Sequence, residues 1–120
     1  MTKERDAQGR QVFHCPVEAT MSKIGGKYKA IVLYHLTVDG TLRFSQLQRL
    51  IPQATAKMLS QQLRELEADG LVHREVYPVV PPKMEYSLTE FGHTLTPIVT
   101  EMCRWGEEHM ADQILPTPEH

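Results

Sequence analysis

A chain of 120 residues, 41% hydrophobic and 23% charged, has room for one domain and one modest core. It has no apolar run near the ~20 residues of a membrane span, and its start, M-T-K-E-R-D-A-Q-G-R-Q, is too polar for a secretory signal. A cytoplasmic protein with no membrane partner is therefore expected. The net charge of −2 hides a gradient. Residues 1–50 hold eight Lys/Arg against four Asp/Glu (+4), residues 51–83 hold four of each, and residues 84–120 hold Arg104 against seven acids (−6). A nucleic-acid binder requires a local basic face, not a basic total, so this balance leaves that function open.

Residues 1–13 have no hydrophobic period and are expected to form a flexible arm. One domain follows, over residues 14–112. Cys15-Pro16 opens a short helix, Val17 to Ile24, with Pro16 in its first turn. Val17, Met21 and Ile24 share one face, and Gly25-Gly26 ends it. A strong helix then runs from Lys27 to Val38, with Tyr28, Ile31, Val32, His35 and Leu36 as its apolar stripe. Lys27 and Lys29 stand at its start, where cations oppose the helix dipole; a nearby phosphate or plain solvation would answer that conflict. Asp39-Gly40 is a turn, and Thr41-Leu42-Arg43-Phe44 a very short strand. Ser45 is expected to cap a third helix, with Gln48 completing a capping box. Leu47, Leu50 and Ile51 face inward, and Pro52 stops it.

A four-residue turn leads into the helix on which the chain depends, Thr55 to Asp69. At 100° per residue, Leu59, Leu63 and Leu66 form one stripe, with Met58 and Gln62 at its edge. Lys57, Ser60, Gln61 and Arg64 fall on the opposite face, which carries no acid. Glu65, Glu67 and Asp69 come only in the last turns, and Gly70 supplies the stop. Helix, short turn and helix with a polar outer face is the helix-turn-helix arrangement. The same pattern also describes a plain solvated amphipathic helix.

After Gly70 the period changes to two. Leu71 to Tyr77 and Lys83 to Leu88 read as paired strands, with Met84, Tyr86 and Leu88 on one face. Pro78, Pro81 and Pro82 cannot donate ladder bonds, so residues 78–82 form the tip. A hairpin directly after a helix-turn-helix is a wing, here over residues 71–88. Thr89 caps a last helix running to about Asp112, which Pro97 kinks or divides. Its apolar side, Leu95, Ile98, Val99, Met102, Trp105, His109 and Met110, exceeds what so small a core can cover. Residues 113–120 are expected to be a loose tail.

The runs C-P-V-E-A-T-M-S-K-I-G-G-K-Y-K, I-P-Q-A-T-A-K-M-L-S-Q-Q-L-R-E-L-E-A-D-G-L-V-H-R-E-V-Y-P and P-P-K-M-E-Y-S-L-T-E-F-G resemble the HxlR family. That family lies within the wider group of MarR-like winged-helix transcriptional regulators. The resemblance covers about residues 14–110. It implies a mainly α fold with a small β-hairpin wing, five or six helices, and a homodimer joined through the first and last helices. Many members respond to electrophiles, aldehydes, quinones or oxidants through a cysteine at the position of Cys15. Tyr28 stands where tryptophan often follows Gly-Gly-Lys, and Cys103 matches no switch residue of the family.

Together these observations describe a regulator that binds double-stranded DNA at an inverted repeat. Lys27, Ser45, Thr55, Lys57, Ser60, Gln61, Arg64, His73, Arg74 and Lys83 are the expected DNA contacts. Cys15 is the expected sensor thiol for a small electrophile or oxidant, and a buried inert thiol is its alternative. Val17, Met21, Ile24, Leu95, Ile98, Val99, Met102 and Trp105 are the expected dimer interface. The six histidines and two cysteines show no metal-ligand spacing, and no nucleophile elbow or phosphate loop is present, so neither a metal, a cofactor nor an enzyme is expected. The alternatives are a winged-helix module that binds protein, and a regulator that takes its ligand in a pocket rather than at a thiol.

Overall fold

The computed structural model describes residues 4–116. Its elements, in order, are α1 (Pro16–Ile24), α2 (Lys29–Asp39), β1 (Thr41–Arg43), α3 (Phe44–Leu50), α4 (Ala56–Ala68), β2 (Val72–Tyr77), β3 (Lys83–Leu88), α5 (Glu90–His93) and α6 (Thr96–Met110), then one 3-10 turn, Ala111–Gln113. The strands form an antiparallel sheet in the order β1-β3-β2. Val72 faces Leu88 and Tyr77 faces Lys83, so the hairpin closes around residues 78–82 as the prolines require. Among the described residues, no helix is long and apolar enough to cross a membrane.

The core collects one apolar stripe from each helix. Leu59, Leu63 and Leu66 of α4 meet Val32, Leu33 and Leu36 of α2, Leu47 and Leu50 of α3, and Leu42, Leu71, Val72 and Tyr86 of the sheet region. The leucine spacing thus predicts which face of α4 is buried. Its end is set by Gly70 at φ +75°, with Gly70 N–H donating to Glu67 O at 3.0 Å and Leu71 N–H to Leu66 O at 3.0 Å. This crossed pair satisfies the last carbonyls and turns the chain straight into β2.

The structure corrects several expectations. α3 begins at Phe44, not after Ser45, because Gln46 Oε1 accepts the Arg43 N–H at 2.8 Å and β1 runs directly into the helix. Ser45 is therefore an exposed residue of the first turn and no cap. The last helix is two: Thr89 caps α5, and Pro97 stands in the first turn of α6, where its missing N–H costs nothing. Residues 4–12 fold back on themselves: Arg5 pairs with Gln11, and the Asp6 carboxylate accepts the N–H groups of Gln8 and Arg10. Those bonds, the Arg10 backbone one foremost, hold the Asp6 carboxyl below its ordinary range. Part of the expected tail, residues 117–120, lies outside the described residues.

Candidate nucleic-acid interface

The outer face of α4 stands clear because both of its flanks are fastened. Thr55 starts the helix, its Oγ1 accepting the Met58 N–H at 3.1 Å. On one flank three side chains tie α4 to the α1–α2 region. Gln62 Oε1 accepts the Tyr28 N–H at 3.2 Å, Glu65 Oε1 lies 2.7 Å from Lys29 Nζ, and Asp69 Oδ1 lies 3.5 Å from Lys23 Nζ. On the other flank Glu67 Oε1 accepts from Arg74 Nε of the wing at 3.4 Å. The acids that follow the cationic residues in sequence are thus taken up sideways, and Lys57, Gln61 and Arg64 are left exposed between them. Among the described residues, neither Lys57 nor Arg64 is held in an ion pair.

Lys29 is the main surprise of this region. It is 7% exposed, and its charge is met by Glu65, not by solvent or a phosphate. A buried ammonium without a counter-charge is costly, so this pair is a structural requirement of the α2–α4 contact. The same contact holds the Glu65 carboxyl below its ordinary value of 4.5, first by the Lys29 hydrogen bond and then by its charge. Gly26 makes room for the arrangement. A Cβ there would fall 2.7 Å from Lys29 Cδ and would overlap Gln62 Oε1 as well. Reading α2 from its periodicity misses Lys29, Glu65 and Gln62 as a brace, since their partners lie on another helix.

The wing has cations, each with an acid beside it. Lys83 Nζ lies 3.5 Å from Glu85 and 4.5 Å over the Tyr77 ring; His73 Nε2 lies 3.7 Å from Glu75; Arg74 meets Glu67. Lys83 opens β3, at the strand position the sequence predicts, and is half-buried. Two grooves group the candidates. One of about 520 Å³ between α4 and the wing is lined by Ser60, Arg64, Glu67, Arg74, Met84 and Tyr86. Another of about 510 Å³, between the start of α3 and the wing tip, joins Arg43 and Ser45 to Val79, Val80, Pro82 and Lys83. Arg43 was not among the sequence candidates; its place at the end of β1, beside the wing, is what marks it. Lys27 lies apart from both grooves, its Nζ 5.5 Å from the Tyr28 ring.

The expected interface residues divide. Ile24 and Val99 are 6% and 2% exposed and belong to the chain's own core, so neither presents a free face, and Leu95 is partly buried against that core. Val17, Met21, Ile98, Met102 and Trp105 are exposed, and Met110 joins them. In the single chain Cys15 is exposed at the N-cap of α1, its Sγ accepting the Glu18 N–H at 3.5 Å. Cys103 is half-buried on α6, its Sγ in hydrogen-bond contact with the Tyr34 hydroxyl at 3.3 Å. That contact, followed by burial, pushes the Tyr34 hydroxyl up to about 12.

Comparison with known proteins agrees with this architecture. The chain is 61% identical over 95 residues to the HTH-type transcriptional regulator YybR of Bacillus subtilis (strain 168), covering 79% of this chain and 75% of that one. It is 48% identical over 108 residues to an HTH-type transcriptional regulator of Methanothermobacter thermautotrophicus, covering 90% and 82%. Among solved structures it resembles the redox regulator HypR in its oxidised form, with TM-score 0.75 and 61% identity over 79% of this chain and 97% of that one. It also resembles the reduced form of the transcriptional regulator YodB of Bacillus subtilis, with TM-score 0.63 and 33% identity over 85% and 100%. Residues 23–114 match the HxlR-like helix-turn-helix family, and the chain belongs to that family of transcriptional regulators.

Proposed function

We propose that the chain binds an inverted repeat in double-stranded DNA as a homodimer, reading bases with α4 and holding the backbone with the start of α3 and the wing. The observation that carries this reading is the outer face of α4, where Lys57, Gln61 and Arg64 are exposed while both flanks are fastened. A reader held on two sides loses little freedom on binding. Arg64 and Gln61, one turn apart, suit base edges; Thr55, Lys57 and Ser60 nearer the N-terminus suit phosphate or base contact. Arg43, Ser45, His73, Arg74 and Lys83 suit phosphates, with Lys27 at the margin. A phosphate at Lys83 competes with Glu85, whose carboxylate lies 3.5 Å away. The exposed apolar side chains of α6 and α1 form the dimer face, which sets two reading helices one turn of DNA apart, about 34–36 Å.

Cys15 is the proposed effector thiol. It is exposed, and its sulfur is the cap of α1, so alkylation or oxidation there removes a hydrogen bond and adds bulk beside Val17. Redox states recorded for the relatives HypR and YodB support this assignment. A second reading rests on a groove of about 370 Å³ between α2 and α6, lined by Ala30, Ile31, Tyr34, Met102, Cys103 and Gly106 among others, which suits a small apolar effector. Selection of bound duplexes from a random library tests the main reading. An inverted repeat with half-sites one turn apart is expected; recovery of no preferred sequence overturns it.

A further inference from the structure

We infer that the side chains Lys29, Glu65 and Gln61 form a relay that fixes which way the Gln61 amide faces DNA, making adenine the base this residue selects. The inference rests on the proposal that α4 reads bases and adds to it the identity of one of them. Its first link is the Lys29 ammonium, 7% exposed and 2.7 Å from Glu65 Oε1. With that charge buried against it, Glu65 stays ionised and its carboxylate keeps one position. The second link is Glu65 Oε2, which accepts from Gln61 Nε2 at 3.3 Å.

An ionised carboxylate can only accept hydrogen bonds. The Gln61 atom facing it must therefore be the amide nitrogen, since the oxygen would set lone pairs against lone pairs. The oxygen–nitrogen ambiguity of glutamine amides is removed here by the partner's chemistry. One N–H is spent on Glu65, and the outward edge of the amide then carries one acceptor, Oε1, and one donor, the second N–H. In the major groove adenine offers a donor, N6–H, beside an acceptor, N7, and so complements that edge. Guanine offers two acceptors, N7 and O6, and would face Oε1 with one of them. A freely rotating glutamine can turn its NH2 toward guanine; a fastened one cannot. Glu65 and Lys29 are thus positioning residues, and Gln61 makes the contact. Gln61 and Glu65 are one helical turn apart, the spacing at which such side chains meet.

The test uses the full chain and the operator recovered by library selection. Binding to duplexes carrying each of the four base pairs at every operator position is compared for wild type, Gln61→Ala, Glu65→Ala and the double variant Lys29→Met with Glu65→Ala. The double variant removes the buried charge together with its partner, so the fold is retained even where Glu65→Ala alone unfolds. Gln61→Ala is expected to erase preference at one A·T pair of each half-site. The Glu65 variants are expected to lose about tenfold of the adenine preference at that same pair, the size of a good base contact. In the charge-neutral double variant, preferences at the other operator positions stay as in wild type. A purely structural role for Glu65 would weaken all sequences alike. The inference is overturned if the folded double variant keeps the wild-type preference at that pair, or if the pair that depends on Gln61 is not A·T. If Gln61→Ala changes no position while Arg64→Ala does, the inference falls and the α4 reading stands; if neither variant changes a position, α4 is not the reader and both fall.

Discussion

Replacing Trp105 with alanine should dissociate the proposed dimer, and the size of the effect can be worked from the exposure of one side chain. Trp105 lies on α6 with its ring centroid 5.0 Å from that of His109, and it is 59% exposed. An aromatic side chain buries 150–250 Å² in full, so covering the exposed part removes roughly 90–150 Å² from water. At ~25 cal/mol per Å² that is about 2–4 kcal/mol for each copy. A twofold axis presents the same residue twice, so truncation removes both contributions at once. Neighbours such as Met102 and Ile98, 51% and 40% exposed, close part of the gap and lower the net loss. At about 1.4 kcal/mol per tenfold, a dissociation constant raised at least a hundredfold, by about 3 kcal/mol or more, is expected. Sedimentation equilibrium over a range of protein concentrations reads this directly, with circular dichroism checking that the monomer stays folded. Wild-type association by the variant, or a monomeric wild type at micromolar concentration, would refute the argument that this face of α6 is covered by a second copy.

Arg64→Ala should cost roughly 1–3 kcal/mol on the selected operator and little on unrelated DNA, as read by competition gel shift; equal losses on both would make Arg64 a phosphate contact. Lys83→Ala should flatten the dependence of log binding constant on log salt by less than the ~0.9 of a free phosphate contact, because Glu85 already shares that charge. A full unit of change would mean that Glu85 releases Lys83 completely on binding. Cys15→Ser should keep operator binding and lose its response to quinones or diamide, whereas Cys103→Ser should keep both; release of the Cys15→Ser protein by the same reagent moves the switch elsewhere. The Glu65 carboxyl, depressed by Lys29, favours the folded state when ionised. Its contribution is therefore present above its ordinary value of 4.5 and is lost as pH falls through the lower folded-state value. The difference in urea midpoint between wild type and Glu65→Gln should accordingly shrink below that pH, and a difference independent of pH would count against the pair.

What the sequence by itself determined is the set of elements and the apolar face of most of them. Leu59, Leu63 and Leu66 predict the buried stripe of α4, Gly70 its end, and Pro78, Pro81 and Pro82 the tip of the wing. These follow from periodicity and backbone chemistry, which act over a few residues and are written in consecutive positions. The tertiary structure alone decided how the charges are shared. A lysine at the start of α2 reads as solvated until the fold sets Glu65 beside it, and Lys83 reads as a free cation until Glu85 and Tyr77 are seen next to it. The same holds for Ile24 and Val99, which periodicity places on one stripe with Met21 in the first helix and with Trp105 in the last, respectively. Only packing shows that the first two are spent on the chain's own core while the others remain uncovered in the single chain. Pattern records which residues are apolar or charged, whereas burial and partnership depend on what a distant element places opposite them, and that information is not local to any stretch of the chain.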